Sequence, residues 1–147
     1  MLQLVWSNWN YRAFIKYAME TCQYFSIVLE KDDFDDCSYH FEKLYNTLKE
    51  DVYCRKSIGY HPDTGTYYFN CDIVYFKCNP FARSILSKAD AISEWNGVYW
   101  PEELCFYRNN TKWFTLISHE KYLFIYNETK LDKLFLENEK IQYIQCE

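Results

Sequence analysis

Glu102, Glu103, His119 and Glu120 bracket two apolar runs in the stretch YWPEELCFYRNNTKWFTLISHE, residues 99–120. Carboxylates and imidazoles are the groups that most often move protons in enzymes. If Asn109-Asn110 close a two-residue turn, Phe106 faces Trp113, Leu104 faces Thr115 and Glu102 faces Ile117. His119 then lies diagonal to Glu102 on one face, within side-chain reach. This register makes Glu102, His119 and Glu120 the catalytic candidates, with Glu103 beside them. A structural ion pair at the end of a sheet is the other reading of the same residues. A one-residue slip would put Glu102 and His119 on opposite faces.

Other chemistries find less support. The seven cysteines are odd in number and irregularly spaced, without a C-x-x-C pair, which fits reduced thiols acting as small hydrophobes. In the register above, Cys105 and His119 fall on opposite faces. Cys54 and Cys71 can meet across a first hairpin, and Cys37 and His40 sit about one helical turn apart. The acidic run Asp32-Asp33-Phe34-Asp35-Asp36 lacks the glycine and distal glutamate of an EF-hand loop. His40, His61 and His119 are scattered, so no metal and no cofactor is expected. The three glycines, Gly59, Gly65 and Gly97, are too few and too far apart for a G-x-G-x-x-G or P-loop phosphate cradle, and no G-x-S-x-G elbow is present.

The elements that would hold these residues follow from periodicity. Leu2, Leu4 and Trp6 alternate as a short strand. Asn8 or Asn10 can cap a helix whose stripe is Tyr11, Phe14, Ile15, Ala18, Met19 and Cys22. Tyr24–Glu30 reads as a strand. Asp35 or Asp36 caps a second helix with Cys37, Phe41, Leu44 and Leu48 on its buried side. Two β-rich runs around His61-Pro62-Asp63-Thr64-Gly65 form a hairpin. In its second strand Tyr67, Phe69, Cys71, Ile73 and Tyr75 share one face. Tyr68, Asn70, Asp72, Val74 and Phe76 share the other, read as the wetter one. Asn79-Pro80 opens a third helix, with a further turn from Ser87 or Asp90 to Asn96-Gly97. Tyr122–Tyr126 adds a strand, Thr129 and Asp132 cap a short helix, and Ile141–Gln145 closes the chain. Irregular alternation of helices and hairpins predicts one α+β domain over residues 1–147, with a mainly antiparallel sheet and three to four helices.

Composition points outward. Net charge is -5, and residues 1–73 hold eleven Asp/Glu against seven Lys/Arg. No basic stripe marks a nucleic-acid binder, and no run is apolar enough for a membrane span. The N-terminus lacks a signal-peptide pattern, so a cytoplasmic protein is expected. Aromatics make up 21 % of the chain, more than a core this size requires. Tyr and Trp at surfaces favour protein interfaces. The expected partner is therefore another protein, basic in character. The expected contacts are Glu30, Asp32, Asp33, Asp35, Asp36, Tyr68, Trp95, Tyr99, Trp100 and Tyr107, with Trp9 and Tyr60 as further surface aromatics.

The segment Trp100–Tyr126, with PEELCFYR, KWF and SHEKYLFI, resembles small bacterial immunity-type proteins, the cytosolic antidotes encoded beside polymorphic toxins. Pro101, Glu103, Leu104, Trp113, His119 and Glu120 carry the resemblance. It implies a non-enzymatic inhibitor that occludes a toxin or effector, and it implies no catalytic residue. Two alternatives stand beside it: a phage or mobile-element protein that inhibits a host system, and a small enzyme using the Glu102/His119 pair.

Overall fold

The computed structural model describes residues 1–31 and 36–146, the side chains of residues 36–40 excepted. Asp32, Asp33 and Asp35, expected partner contacts, lie outside the described residues. So do the side chains of Asp36, Cys37 and His40.

Among the described residues eight strands form one sheet: β1 (Leu2–Leu4), β2 (Tyr24–Glu30), β3 (Val52–Tyr60), β4 (Tyr67–Lys77), β5 (Glu102–Arg108), β6 (Thr111–Ile117), β7 (Tyr122–Ile125) and β8 (Tyr143–Gln145). Their order is β3-β4-β2-β5-β6-β7-β1-β8, and every neighbouring pair is antiparallel. The helices are α1 (Tyr11–Thr21), α2 (Asp36–Leu48), α3 (Pro80–Leu86) and α4 (Lys130–Asn138), with short 3-10 turns at Lys49–Asp51 and Ile92–Glu94. The chain is thus an α+β protein built on one antiparallel sheet. No helix among the described residues is long and apolar enough to cross a membrane.

The caps follow the sequence. Asn10 accepts from the Ala13 amide at 3.0 Å and Asn79 from the Ala82 amide at 2.7 Å. Thr129 and Asp132 form a reciprocal capping box at the start of α4. The predicted stripe of α1 is the buried one: Tyr11, Phe14, Ile15, Ala18 and Met19. It packs with Phe25, Ile27, Leu29, Val74, Phe76, Leu104, Phe106 and Phe114 of the sheet and with Leu86 and Leu136 of α3 and α4 in one core.

The opposite side of β2 and β5 is also dry. Ser26, Val28, Cys105 and Tyr107 are buried although they lie outside that core cluster. The turn between β3 and β4 helps to cover them. Asp63 accepts a 2.7 Å hydrogen bond from the Tyr107 hydroxyl, and Lys112 donates to the Asp63 carbonyl at 3.4 Å. His61, fully buried, accepts at Nδ1 from the amides of Asp63 and Thr64.

The wet and dry faces expected for β4 are not those observed. Val74 and Phe76 are core, while Tyr67 and Phe69 are 81 % and 93 % exposed. Asn70 has φ 56 in mid-strand, and the pairing with β3 shifts between Ile58 and Tyr60. A left-handed residue breaks the two-residue alternation, and Asn is the side chain that tolerates it best after glycine. The same ladder sets Cys54 opposite Tyr75 and Cys71 opposite Ile58, so these cysteines are not cross-strand partners. All six described cysteines are free thiols.

Candidate functional site

The Asn109-Asn110 turn forms as expected, with both residues left-handed at φ 53 and 63. The register beyond it differs. Tyr107 pairs with Lys112, but Phe106 pairs with Phe114 and Cys105 with Thr115. Trp113 is the extra residue of a β-bulge, and its ring packs on Phe14 and Tyr17. This is the one-residue slip that would separate Glu102 from His119.

A second bulge restores their proximity. On the β2 side, Ser26 pairs with Cys105 and Val28 with Glu102, so β5 carries one residue too many. That residue is Glu103, at φ 59. A non-glycine side chain in this conformation stores strain, and such strain clusters at functional sites. The bulge re-aims the chain so that the consecutive Glu102 and Glu103 converge with His119. One ligating atom of each lies within 4.8 Å of the other two. Gly97, at φ 85, makes room for Glu102: a Cβ there would stand 2.8 Å from Glu102 Oε1.

These groups lie at a recess of about 650 Å³ whose lining includes Glu30, Tyr67, Phe69, Glu102, His119 and Glu120. Tyr68 and Cys71 also line it. Glu103 is fully buried beside it. Its amide donates to Ser118 Oγ at 3.0 Å, and its Oε1 accepts from the Thr66 hydroxyl at 3.3 Å. Among the described residues its Oε2 makes no well-formed hydrogen bond. The buried Tyr68 hydroxyl lies beside this carboxylate and interacts with it as a donor, in a geometry too loose for a well-formed bond. His119 is half exposed on the turn between β6 and β7. Its Nδ1 is 3.9 Å from Glu103 Oε1, and its Nε2 is 3.8 Å from Glu120 Oε1.

Burial raises the carboxyls of both Glu102 and Glu103 above the usual range. Glu30 adds to the effect at Glu102, and Glu102 adds to it at Glu103. Burial and the nearby carboxylates push the Tyr68 phenol up as well. Among the described residues no Lys or Arg lines the recess.

The expected site residues, catalytic candidates and partner contacts together, divide. Glu30, Tyr68, Glu102, His119 and Glu120 meet at this recess. Tyr99 is 68 % exposed but lies on another pocket, with Trp100, Leu44 and Ile85. Trp100 is half-buried and packs on Trp95, ring centroids 5.0 Å apart. Trp95 and Tyr107 are not surface residues. Trp95 is buried and donates to the Tyr11 hydroxyl at 2.9 Å, and Tyr107 is buried under Asp63 and Ser26. Their polar tips find partners inside, which removes the reason for them to reach water. Trp9 is partly buried against Phe14. Tyr60 is exposed, as expected. Tyr67 and Phe69 were not expected at the surface. The one signal for them was Asn70, a residue poorly suited to mid-strand. No known family model, curated protein or solved structure matches this chain.

Proposed function

We propose that this chain is a non-enzymatic binding protein, an inhibitor of the immunity type, that occludes a basic toxin or effector in the cytoplasm. The observation that carries the reading is the exposure of Tyr67 and Phe69 on β4, beside a recess lined by Glu30, Glu102 and Glu120. Tyr60, its ring 5.1 Å from that of Tyr67, extends the same aromatic surface. Large exposed rings are the anchors from which interfaces draw most of their binding energy. Carboxylates around them, and a net charge of -5, speed the approach of a basic partner and orient it.

Co-expression with the products of the adjacent genes tests this. A toxin among them should co-purify with the wild-type chain, and Tyr67→Ser with Phe69→Ser should abolish both co-purification and protection of the cell. Absence of any partner, or full protection by the double variant, overturns the reading. The meeting of Glu102 and His119 in one recess favours a second reading, a small enzyme. His119→Asn separates the two. An occluding inhibitor keeps its protection when this imidazole is lost, and an enzyme loses its activity.

A further inference from the structure

Glu102 and His119 line the recess, and Glu103 lies buried next to them. Clustered acids alone say little, since exposed carboxylates gather without any ligand. Glu103 is the informative member, because its side chain is fully buried and its Oε2 makes no well-formed hydrogen bond, with only the loosely placed Tyr68 hydroxyl beside it. A buried carboxylate oxygen so poorly satisfied is unfavourable, and a bound water or ion is one way to complete it. Two carboxylates and an imidazole, each with a ligating atom within 4.8 Å of the others, favour a cation in that role.

We propose that Glu102, Glu103 and His119 form a binding site for one first-row divalent transition-metal ion, with Zn²⁺ and Mn²⁺ the best matched. Two carboxylates and a neutral imidazole balance a double positive charge. The nitrogen donor disfavours Mg²⁺ and Ca²⁺, which take oxygen ligands. Donors around one such ion stand roughly 2.0–2.2 Å from it, so two of them lie at most about 4.4 Å apart. A site spanning 4.8 Å needs only a small closure. His119 can supply it, because its half-exposed ring sits on a turn, while Glu103 is held by the Ser118 hydroxyl and Glu102 packs against Gly97. Glu120 is a positioning residue. Its carboxylate faces Nε2 of His119 while Nδ1 faces Glu103, the arrangement in which a carboxylate orients a metal-bound imidazole. Coordination positions not filled by these three residues open onto the recess.

This inference goes beyond the binding reading, and its test contains no partner protein, so each can fail alone. The full chain, stripped with a chelator, is titrated with ZnCl₂ and MnCl₂ by calorimetry and with CoCl₂ by absorption. The expected result is one ion per chain, unaffected by excess Mg²⁺. His119→Ala and Glu102→Gln should each weaken binding at least about tenfold, and Glu120→Gln about tenfold. Circular dichroism confirms that the variants fold. Bound Co²⁺ should show weak ligand-field bands without the intense thiolate absorption that cysteine ligation produces. Failure to bind any of the ions saturably, affinities unaltered in both ligand variants, or a thiolate-type Co²⁺ spectrum would each overturn the proposal.

Discussion

Replacing Asp132 by alanine should cost this protein about 4 kcal/mol, far more than a typical single substitution. Asp132 is fully buried at the start of α4 and accepts five hydrogen bonds. Arg108 Nη1 and Nη2 donate at 2.9 and 3.1 Å, Trp113 Nε1 at 3.1 Å, the Thr129 amide at 2.9 Å and the Tyr17 hydroxyl at 2.5 Å. Alanine leaves all of these donors behind. Breaking a buried ion pair by removing one partner costs about 3–5 kcal/mol. The lower end applies here, because the Arg108 side chain keeps 16 % exposure, a 2.7 Å bond to Thr21 and its stack on Trp113. Loss of the capping box adds about 1 kcal/mol. The assay is urea unfolding followed by circular dichroism, with unchanged slope as the check on two-state behaviour. Arg108→Met with Asp132→Asn should be less damaging than the sum of the two single changes, since each single change strands its partner's charge and the double variant strands neither. A loss below about 1 kcal/mol for Asp132→Ala would refute the claim that this network ties α1, β5, β6 and α4 together.

His61 and the site residues give the other tests. Burial lowers His61 to about 4 from its ordinary 6.5, so between these values the unfolded chain binds a proton that the native chain does not. Stability is then complete above pH 6.5 and falls as pH drops toward 4, by about 2.5 kcal/mol at pH 4.5. His61→Asn, whose amide oxygen can replace Nδ1 as acceptor, should lose that part of the pH dependence in urea titrations at pH 7 and 4.5. An unchanged slope would contradict it. Glu103→Gly should stabilise the fold by about 1 kcal/mol, because glycine accepts a positive φ and removes a buried, half-satisfied carboxylate. A less stable Glu103→Gly protein would mean that Glu103 serves the fold itself. Gly97→Ala should cost about 1–2 kcal/mol through its positive φ and the contact with Glu102, readable as a lower unfolding midpoint. Tyr67→Ser and Phe69→Ser should each change stability by less than about 0.5 kcal/mol, since neither ring is in the core.

Much of this protein is written in local pattern. The cap residues Asn10, Asn79 and Thr129, the stripe of α1, the strand Tyr24–Glu30 and the Asn109-Asn110 turn all form where the sequence places them. Each depends on residues within a few positions of one another, so a short window carries the whole cause. The α+β class follows from the same windows.

The positions of the bulges depend on more than a window. β5 must satisfy β2 on one side and β6 on the other, and the two registers are reconciled by extra residues at Glu103 and Trp113. Those insertions decide which carboxylates meet His119. Long-range packing also decides burial. Trp95 and Tyr107 go inside because Tyr11, Asp63 and Ser26, all distant in sequence, complete their hydrogen bonds. Tyr67 and Phe69 go outside because Asn70 turns the strand. The sequence by itself determined the elements and their caps, through contacts a few residues apart. Only the tertiary structure decided the faces of the strands and the meeting of Glu102, Glu103 and His119, because strand register is settled between neighbours brought together by the fold.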